Sequence, residues 1–140
     1  MDSKAIPRRA IIVDIDGTLC PIKKSKQQYS ELTPYPNVVQ ALRRYKADGW
    51  QIVLCTSRNM NTFSGNLGLI NAQTAPVLID WLRRWEIPFD EIHFGKPWPG
   101  HEGFYVDDRA IRPDELLRYS PAEIEELIET GRRSLGTADE

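Results

Sequence analysis

IIVDIDGTLC, residues 11–20, is the stretch that decides the fold. Three large apolar residues run straight into two aspartates one residue apart, and a glycine follows. A strand end that only had to turn needs one Asp or Asn beside Gly. Asp14 and Asp16 repel each other across Ile15, so a compensating positive charge is implied. Ala10–Ile15 is therefore read as a buried strand whose carboxyl end carries chemistry.

The same grammar recurs downstream. QIVLC (51–55) is a second short apolar run, followed by Thr56, Ser57 and Arg58. Glu91–Phe94 and Gly103–Val106 read as two more strands, followed by Lys96 and by Asp107 and Asp108. Helical spacing separates the runs. Val38, Leu42 and Tyr45 recur on one face and stop at Gly49, which suits a C-cap. After the polar loop TSRNMNTFSGNLG, a helix is expected from about Ala75, with Val77, Leu78, Trp81, Leu82 and Trp85 on one face. Ser120, Pro121 and Glu123 supply an N-cap, an N1 proline and a capping-box partner for a last helix, whose stripe is Ile124, Leu127 and Ile128. Alternating strands and helices predict an α/β, three-layer Rossmann-like fold with a central parallel sheet. Residues 20–35, with Lys23, Lys24 and Lys26, read as a flap, and the tail from about 132 to 140 as flexible.

At 140 residues the chain is most simply one domain, with enough length for a core. A net charge of −2 argues against a sequence-independent grip on nucleic acid or anionic membrane. Cys20 and Cys55 are too few for a disulfide framework or a zinc quartet and read as small buried thiols. The first residues lack an apolar leader core, and no run is long enough to span a membrane. A cytoplasmic location is expected.

In an open parallel sheet, ligands bind at the carboxyl ends of the strands. Asp14, Asp16, Asp107 and Asp108 would bring up to four negative charges there, which a hard divalent cation resolves. An all-oxygen set with no nearby His or Cys suits Mg²⁺ better than zinc. Mg²⁺, Lys96 and Arg58 would then receive a phosphate, with Thr56 and Ser57 adding hydroxyls and Gly17 admitting close backbone approach. A carboxylate beside a bound phosphate can attack phosphorus, and a second one two residues on can protonate the leaving oxygen. Asn59, Trp98 and His101 are candidate substrate contacts; His101 is equally readable as solvated and Trp98 as packed. His93 reads as a hydrogen-bonded core residue, and Trp81 and Trp85 as core or subunit contacts. Asp107 and Asp108 could also be an ordinary N-cap pair.

DIDGTL resembles the first signature of the haloacid dehalogenase-like phosphohydrolases. Thr56 after IVLC matches the second motif, Lys96 the third, and YVDD with Asp107 and Asp108 the fourth. The resemblance implies Asp14 as nucleophile and Asp16 as general acid/base. It implies Mg²⁺ held by the Asp14 carboxylate, the Asp16 backbone carbonyl and a carboxylate of Asp107 or Asp108, with Thr56 and Lys96 on the phosphoryl group. One departure is that only PWPGHEG stands between Lys96 and Phe104, where a helix is common in the family.

Roughly 40 residues separate the first motif from the second, and a similar number the second from the third. Each gap must also hold a helix, so no cap domain is expected, leaving the site open or closed by the flap or a neighbouring subunit of a homo-oligomer. TSRNMNTFSGNLG, IDWLRRWEIPFDEIHFGKPW and GFYVDDRAIRP are similar to small phosphatases of capsular and surface polysaccharide biosynthesis, which implies a small, sugar-related phosphorylated substrate. WQIVLCTSR with the downstream DDR is also similar to polynucleotide 3′-phosphatases, against which the balanced charge weighs. Two other classes compete with a phosphatase. A signalling receiver module would carry its acidic pair after the first strand, whereas here the pair follows the last run. A catalytically idle phosphate-binding module is opposed by the presence of a candidate residue at every motif.

Overall fold

The computed structural model describes residues 8–136. The chain falls into two compact units divided between Trp98 and Pro99. The first unit is α/β, built on a parallel sheet of three strands in the order β1 (Ala10–Val13), β2 (Gln51–Thr56) and β3 (Glu91–Phe94). Register pairs Val13 with Leu54 and Thr56 with Phe94, so the carboxyl ends of β1 and β2 lie side by side. β2 is central, and its Ile52, Val53 and Leu54 are buried, as a strand covered on both faces requires.

Helices flank this sheet. α1 (Pro36–Ala47) buries Val38 and Leu42 together with Val39 and Ala41, and it ends at Gly49 in the left-handed region (φ +93°). Beyond β2, helical structure begins earlier than the expected Ala75. α2 (Leu67–Leu69) starts where the Asn66 side chain accepts the Leu69 N–H at 3.1 Å. A π-helical turn, Ile70–Thr74, joins it to α3 (Ala75–Arg84). α3 buries Leu78, Trp81 and Leu82, whereas Val77 and Trp85, expected on the same face, are 42% and 39% exposed. The core is Ile15, Leu19, Leu42, Ile52, Leu54, Ile70, Leu78, Trp81 and Leu82.

The 20–35 segment is irregular apart from a 3₁₀ turn at Tyr29–Glu31. It is anchored: Leu32 is buried, its carbonyl accepts the Trp81 indole N–H at 2.6 Å, and the Arg84 guanidinium donates to the Ser30 carbonyl. His93 departs from its expected core position; it lies on the exposed face of β3 and pairs with Glu91 at 2.9 Å.

The second unit holds α4 (Pro113–Arg118) and α5 (Pro121–Arg133). α5 begins as expected: the Ser120 hydroxyl accepts the Glu123 N–H at 3.2 Å, and the Glu123 carboxylate accepts the Ser120 N–H at 2.8 Å. The expected strand at Gly103–Val106 is absent. Phe104 and Val106 are 80% and 88% exposed, and residues 103–106 take no regular secondary structure. Just before it, Gly100 takes φ +85° and Gly103 packs against the Pro99 carbonyl, turning the chain tightly. Among the described residues no helix is long and apolar enough to cross a membrane.

Candidate active site at the carboxyl ends of the strands

The chain turns sharply after β1. The Ile15 carbonyl accepts the N–H groups of Thr18, Leu19 and Cys20, and the Gly17 N–H donates to the Cys20 carbonyl at 2.7 Å. This requires φ +87° at Gly17, a conformation that only glycine adopts without strain. The turn leaves Asp14 and Asp16 together at the strand end while burying Ile15 and Leu19 beneath them.

Lys96 reaches the same place from β3. Its backbone N–H donates to the Thr56 carbonyl at 3.1 Å, and its ammonium lies 3.6 Å from the Asp14 carboxylate. Asp14 and Lys96 side chains are 33% and 22% exposed, so both reach solvent. Burial pushes the Asp14 carboxyl above its ordinary range; Lys96 and the Ile15 N–H offset part of that rise, and Asp16 adds to it.

Arg58 is held differently from a surface phosphate clamp. Its side chain is only 2% exposed and grips Asp16 through both carboxylate oxygens, at 2.8 and 3.2 Å. The Tyr29 ring stacks on the guanidinium at 4.0 Å. The Arg58 N–H donates to the buried Thr56 hydroxyl at 3.0 Å, which ties the second motif to itself. Ser57 is half-buried beside them, and its carbonyl accepts the Met60 N–H.

The all-oxygen expectation needs one correction. The Cys20 sulfur sits 3.9 Å from an Asp16 carboxylate oxygen. Burial and the Asp16 carboxylate push its thiol up to about 12. The Asp14 and Asp16 carboxylates are the hard oxygen donors at this strand end.

Asn59 takes φ +62°, and its side-chain oxygen accepts the Thr74 hydroxyl at 2.7 Å, linking the loop to the π-helical turn. Trp98 ends the first unit at 37% exposure, and His101 is exposed in the second. In that second unit, Asp107 accepts the Arg109 N–H at 2.9 Å. Asp108 pairs with Arg132 at 2.7 Å, which holds its carboxyl below the ordinary range. Among the described residues no three His, Cys, Asp or Glu side chains gather as a metal site. Mg²⁺ asks for less than that, since it binds through one or two carboxylates, retained waters and substrate phosphate. The part-exposed Asp14 carboxylate fits this demand.

Sequence reading missed Tyr29, Cys20 and Thr74 as neighbours of the site. Tyr29 gave no signal beyond an aromatic residue in a loop.

A family model for haloacid dehalogenase-like hydrolases matches residues 11–77, which include β1, β2 and the aspartate turn. A crystal structure of a structural-genomics target from Vibrio cholerae is 45% identical, with the match covering 87% of this chain and 98% of that one at a TM-score of 0.83. Over residues 11–77 the chain matches the haloacid dehalogenase-like hydrolases. That match supports a hydrolase of the phosphatase type, and the fold is the one seen in the Vibrio protein. Two further structures match this hydrolase more distantly. D,D-heptose 1,7-bisphosphate phosphatase from B. bronchiseptica, complexed with magnesium and phosphate, is 22% identical, with 67% of this chain and 53% of that chain covered at a TM-score of 0.45. A chain of the Pnkp1/Rnl/Hen1 complex is 18% identical, with 82% and 35% covered at 0.48. Among curated proteins, none matches.

Proposed function

We propose that this hydrolase is a Mg²⁺-dependent phosphomonoesterase that works through an aspartyl-phosphate on Asp14. The observation that carries the reading is the strand-end constellation: Asp14 with the Lys96 ammonium 3.6 Å away, and Asp16 two residues on in the grip of Arg58. Mg²⁺ held by the Asp14 carboxylate and the Asp16 carbonyl would neutralise charge on the transferring phosphoryl group.

In the reaction, an Asp14 carboxylate oxygen attacks phosphorus as the bond to the leaving oxygen breaks, and Asp16 supplies the proton that oxygen needs. Asp16 then takes a proton from water as that water attacks the aspartyl-phosphate, releasing inorganic phosphate and restoring Asp14. Lys96 and Thr56, with Gly17 and Ser57 around them, hold the phosphoryl oxygens. Arg58 holds the Asp16 carboxylate in position. The substrate is a small sugar-related phosphate of capsular or surface polysaccharide synthesis, acted on in the cytoplasm. That part of the reading rests on the similarity of the loop segments to phosphatases of that kind.

The test is phosphate release from sugar phosphates, small phosphoamines and 3′-phosphorylated oligonucleotides, with and without Mg²⁺. Turnover that chelation abolishes, Mg²⁺ restores and Asp14→Asn eliminates is the expected result. Folded protein that releases no phosphate from any of them overturns the reading in favour of a binding module.

A further inference from the structure

A cleft of about 350 Å³, lined in part by Arg58, opens within the first unit. Its walls come from the 3₁₀ turn, the loop after β2 and the π-helical turn leading into α3. Tyr29 and Phe63 contribute rings, Gln28 and Gln73 amides, and Arg58 and Asp80 the charges. The cleft shares Arg58 with the candidate site, since the same guanidinium grips Asp16. We propose that this cleft seats the leaving group of the substrate and selects an uncharged, polyhydroxylated one, a sugar without a second phosphate.

Its lining carries the argument. Arg58 is the one cation among the lining residues, and it is already committed to the Asp16 carboxylate and the Tyr29 face. A second phosphate or a nucleic-acid backbone requires Lys or Arg to replace its counterions, and this cleft offers Asp80 instead. Amides, hydroxyls and a carboxylate provide the mixed donors and acceptors that a ring of hydroxyl groups matches. Tyr29 and Phe63 provide apolar faces for the C–H side of a sugar.

The cleft is also built at a local cost in backbone energy. Asn59 adopts φ +62° and is fixed there by the 2.7 Å bond from Thr74. A residue held in the left-handed region persists where its surroundings over-determine it, and such residues cluster at ligand sites. The π-helical turn that carries Gln73 and Thr74 is a second irregularity of the kind found at functional positions. A volume of about 350 Å³ falls at the small end of ligand pockets, which suits one sugar ring rather than an oligomer.

This inference rests on the phosphatase reading for its chemistry, so the test has an arm that does not. In metal-free protein, unphosphorylated hexoses at millimolar concentration are titrated while backbone amide NMR signals are followed. Shifts confined to Asn59, Phe63 and Gln73 support the cleft, and no shift with any hexose overturns it. In the second arm, Gln73→Ala and Asp80→Asn, both at exposed positions, are compared with wild type on hexose phosphates and acetyl phosphate. The expected result is a fall of 10-fold or more in the kcat/KM ratio of hexose phosphate to acetyl phosphate. A ratio that moves less than 2-fold, or turnover of 3′-phosphorylated oligonucleotides that matches hexose phosphates, overturns the proposal. Absence of phosphate release from every substrate, with hexose shifts intact, overturns the phosphatase reading while the cleft stands.

Discussion

Replacing Arg58 tests how the two aspartates are held apart in role. The side chain is 2% exposed, and it makes two charge-assisted bonds to Asp16, whose side chain is 24% exposed. Removing one partner of a buried pair costs roughly 3–5 kcal/mol, because the other charge is left in a poorly solvated place. Asp16 reaches some water, which puts the loss near the low end, about 3 kcal/mol. The Tyr29 stack adds about 1 kcal/mol. Unfolding entropy of roughly 2.1 cal/mol/K per residue gives about 0.3 kcal/mol/K for a chain this long, so Arg58→Ala should lower Tm by about 10–13 °C. Arg58→Lys retains charge but not the planar fork and should fall between the two. Thermal melts followed by circular dichroism measure both. A double-mutant cycle with Asp16→Asn should give a coupling of at least ~1.5 kcal/mol. A drop under about 3 °C for Arg58→Ala, or a coupling near zero, would show that the clamp is not a stabilising pair, and the reasoning fails.

Three further substitutions probe the same unit. Asp14→Asn should reduce phosphate release by about 10³-fold or more. Its stability effect has the opposite sign: burial holds the Asp14 carboxyl above its unfolded value, so the folded state binds that proton more tightly and the ionised group destabilises it at neutral pH. Metal-free Asp14→Asn should therefore melt above metal-free wild type at pH 7, with the gap closing as pH falls through the raised folded-state value toward about 4; a lower melting point at pH 7 refutes the sign. Gly17→Ala meets no steric wall, since a Cβ would lie 3.5 Å from Ile22, so only the φ of +87° opposes it. It should cost about 1–2 kcal/mol, read as roughly 3–7 °C in Tm, and an unchanged Tm would contradict the left-handed turn. Trp81→Phe deletes the donor to the Leu32 carbonyl inside the core. A loss of about 1–3 kcal/mol is expected, with faster proteolysis within residues 20–35, and equal proteolysis would show that the anchor does not hold that segment.

β2 was legible because it is a short apolar run with polar residues at its end, which is how a strand buried on both faces is written, whereas β1 exposes Ile12 and β3 exposes His93. α5 was legible from its cap, where Ser120 and Glu123 satisfy each other's backbone N–H groups. α4 escaped because six residues are too few to show a helical period, although Pro113 and the acidic pair Asp114 and Glu115 mark a helix start. Leu67–Thr74 escaped for a different reason: Asn and Gly in that stretch signal a loop, and a π-helical turn breaks the 3.6-residue spacing. Gly103–Val106 shows the converse error, since an apolar run specifies a strand only where a ladder receives it. Asp14, Asp16, Thr56 and Lys96 were singled out by their positions just after apolar runs. The Arg58–Asp16 pair could not, because its partners are 42 residues apart and only the adjacency of β1 and β2 brings them together.

That pair explains why two adjacent carboxylates can do different work. Asp14 faces Lys96 at 3.6 Å, is one-third exposed, and carries a carboxyl that burial raises. Asp16 is committed at both oxygens to a guanidinium that cannot lose its charge. A nucleophile must be reachable, whereas a proton donor and acceptor must be oriented, and the surroundings supply each demand separately. The same guanidinium walls the cleft beyond, so the residue that orients Asp16 also touches the space where a leaving group would sit. A leaving group that displaced Tyr29 from Arg58 would loosen the grip on Asp16. On the proposed reading, selection in the cleft and proton transfer at Asp16 would be mechanically joined, and a substitution at Tyr29 should change kcat together with substrate preference, where a purely structural ring would change stability alone.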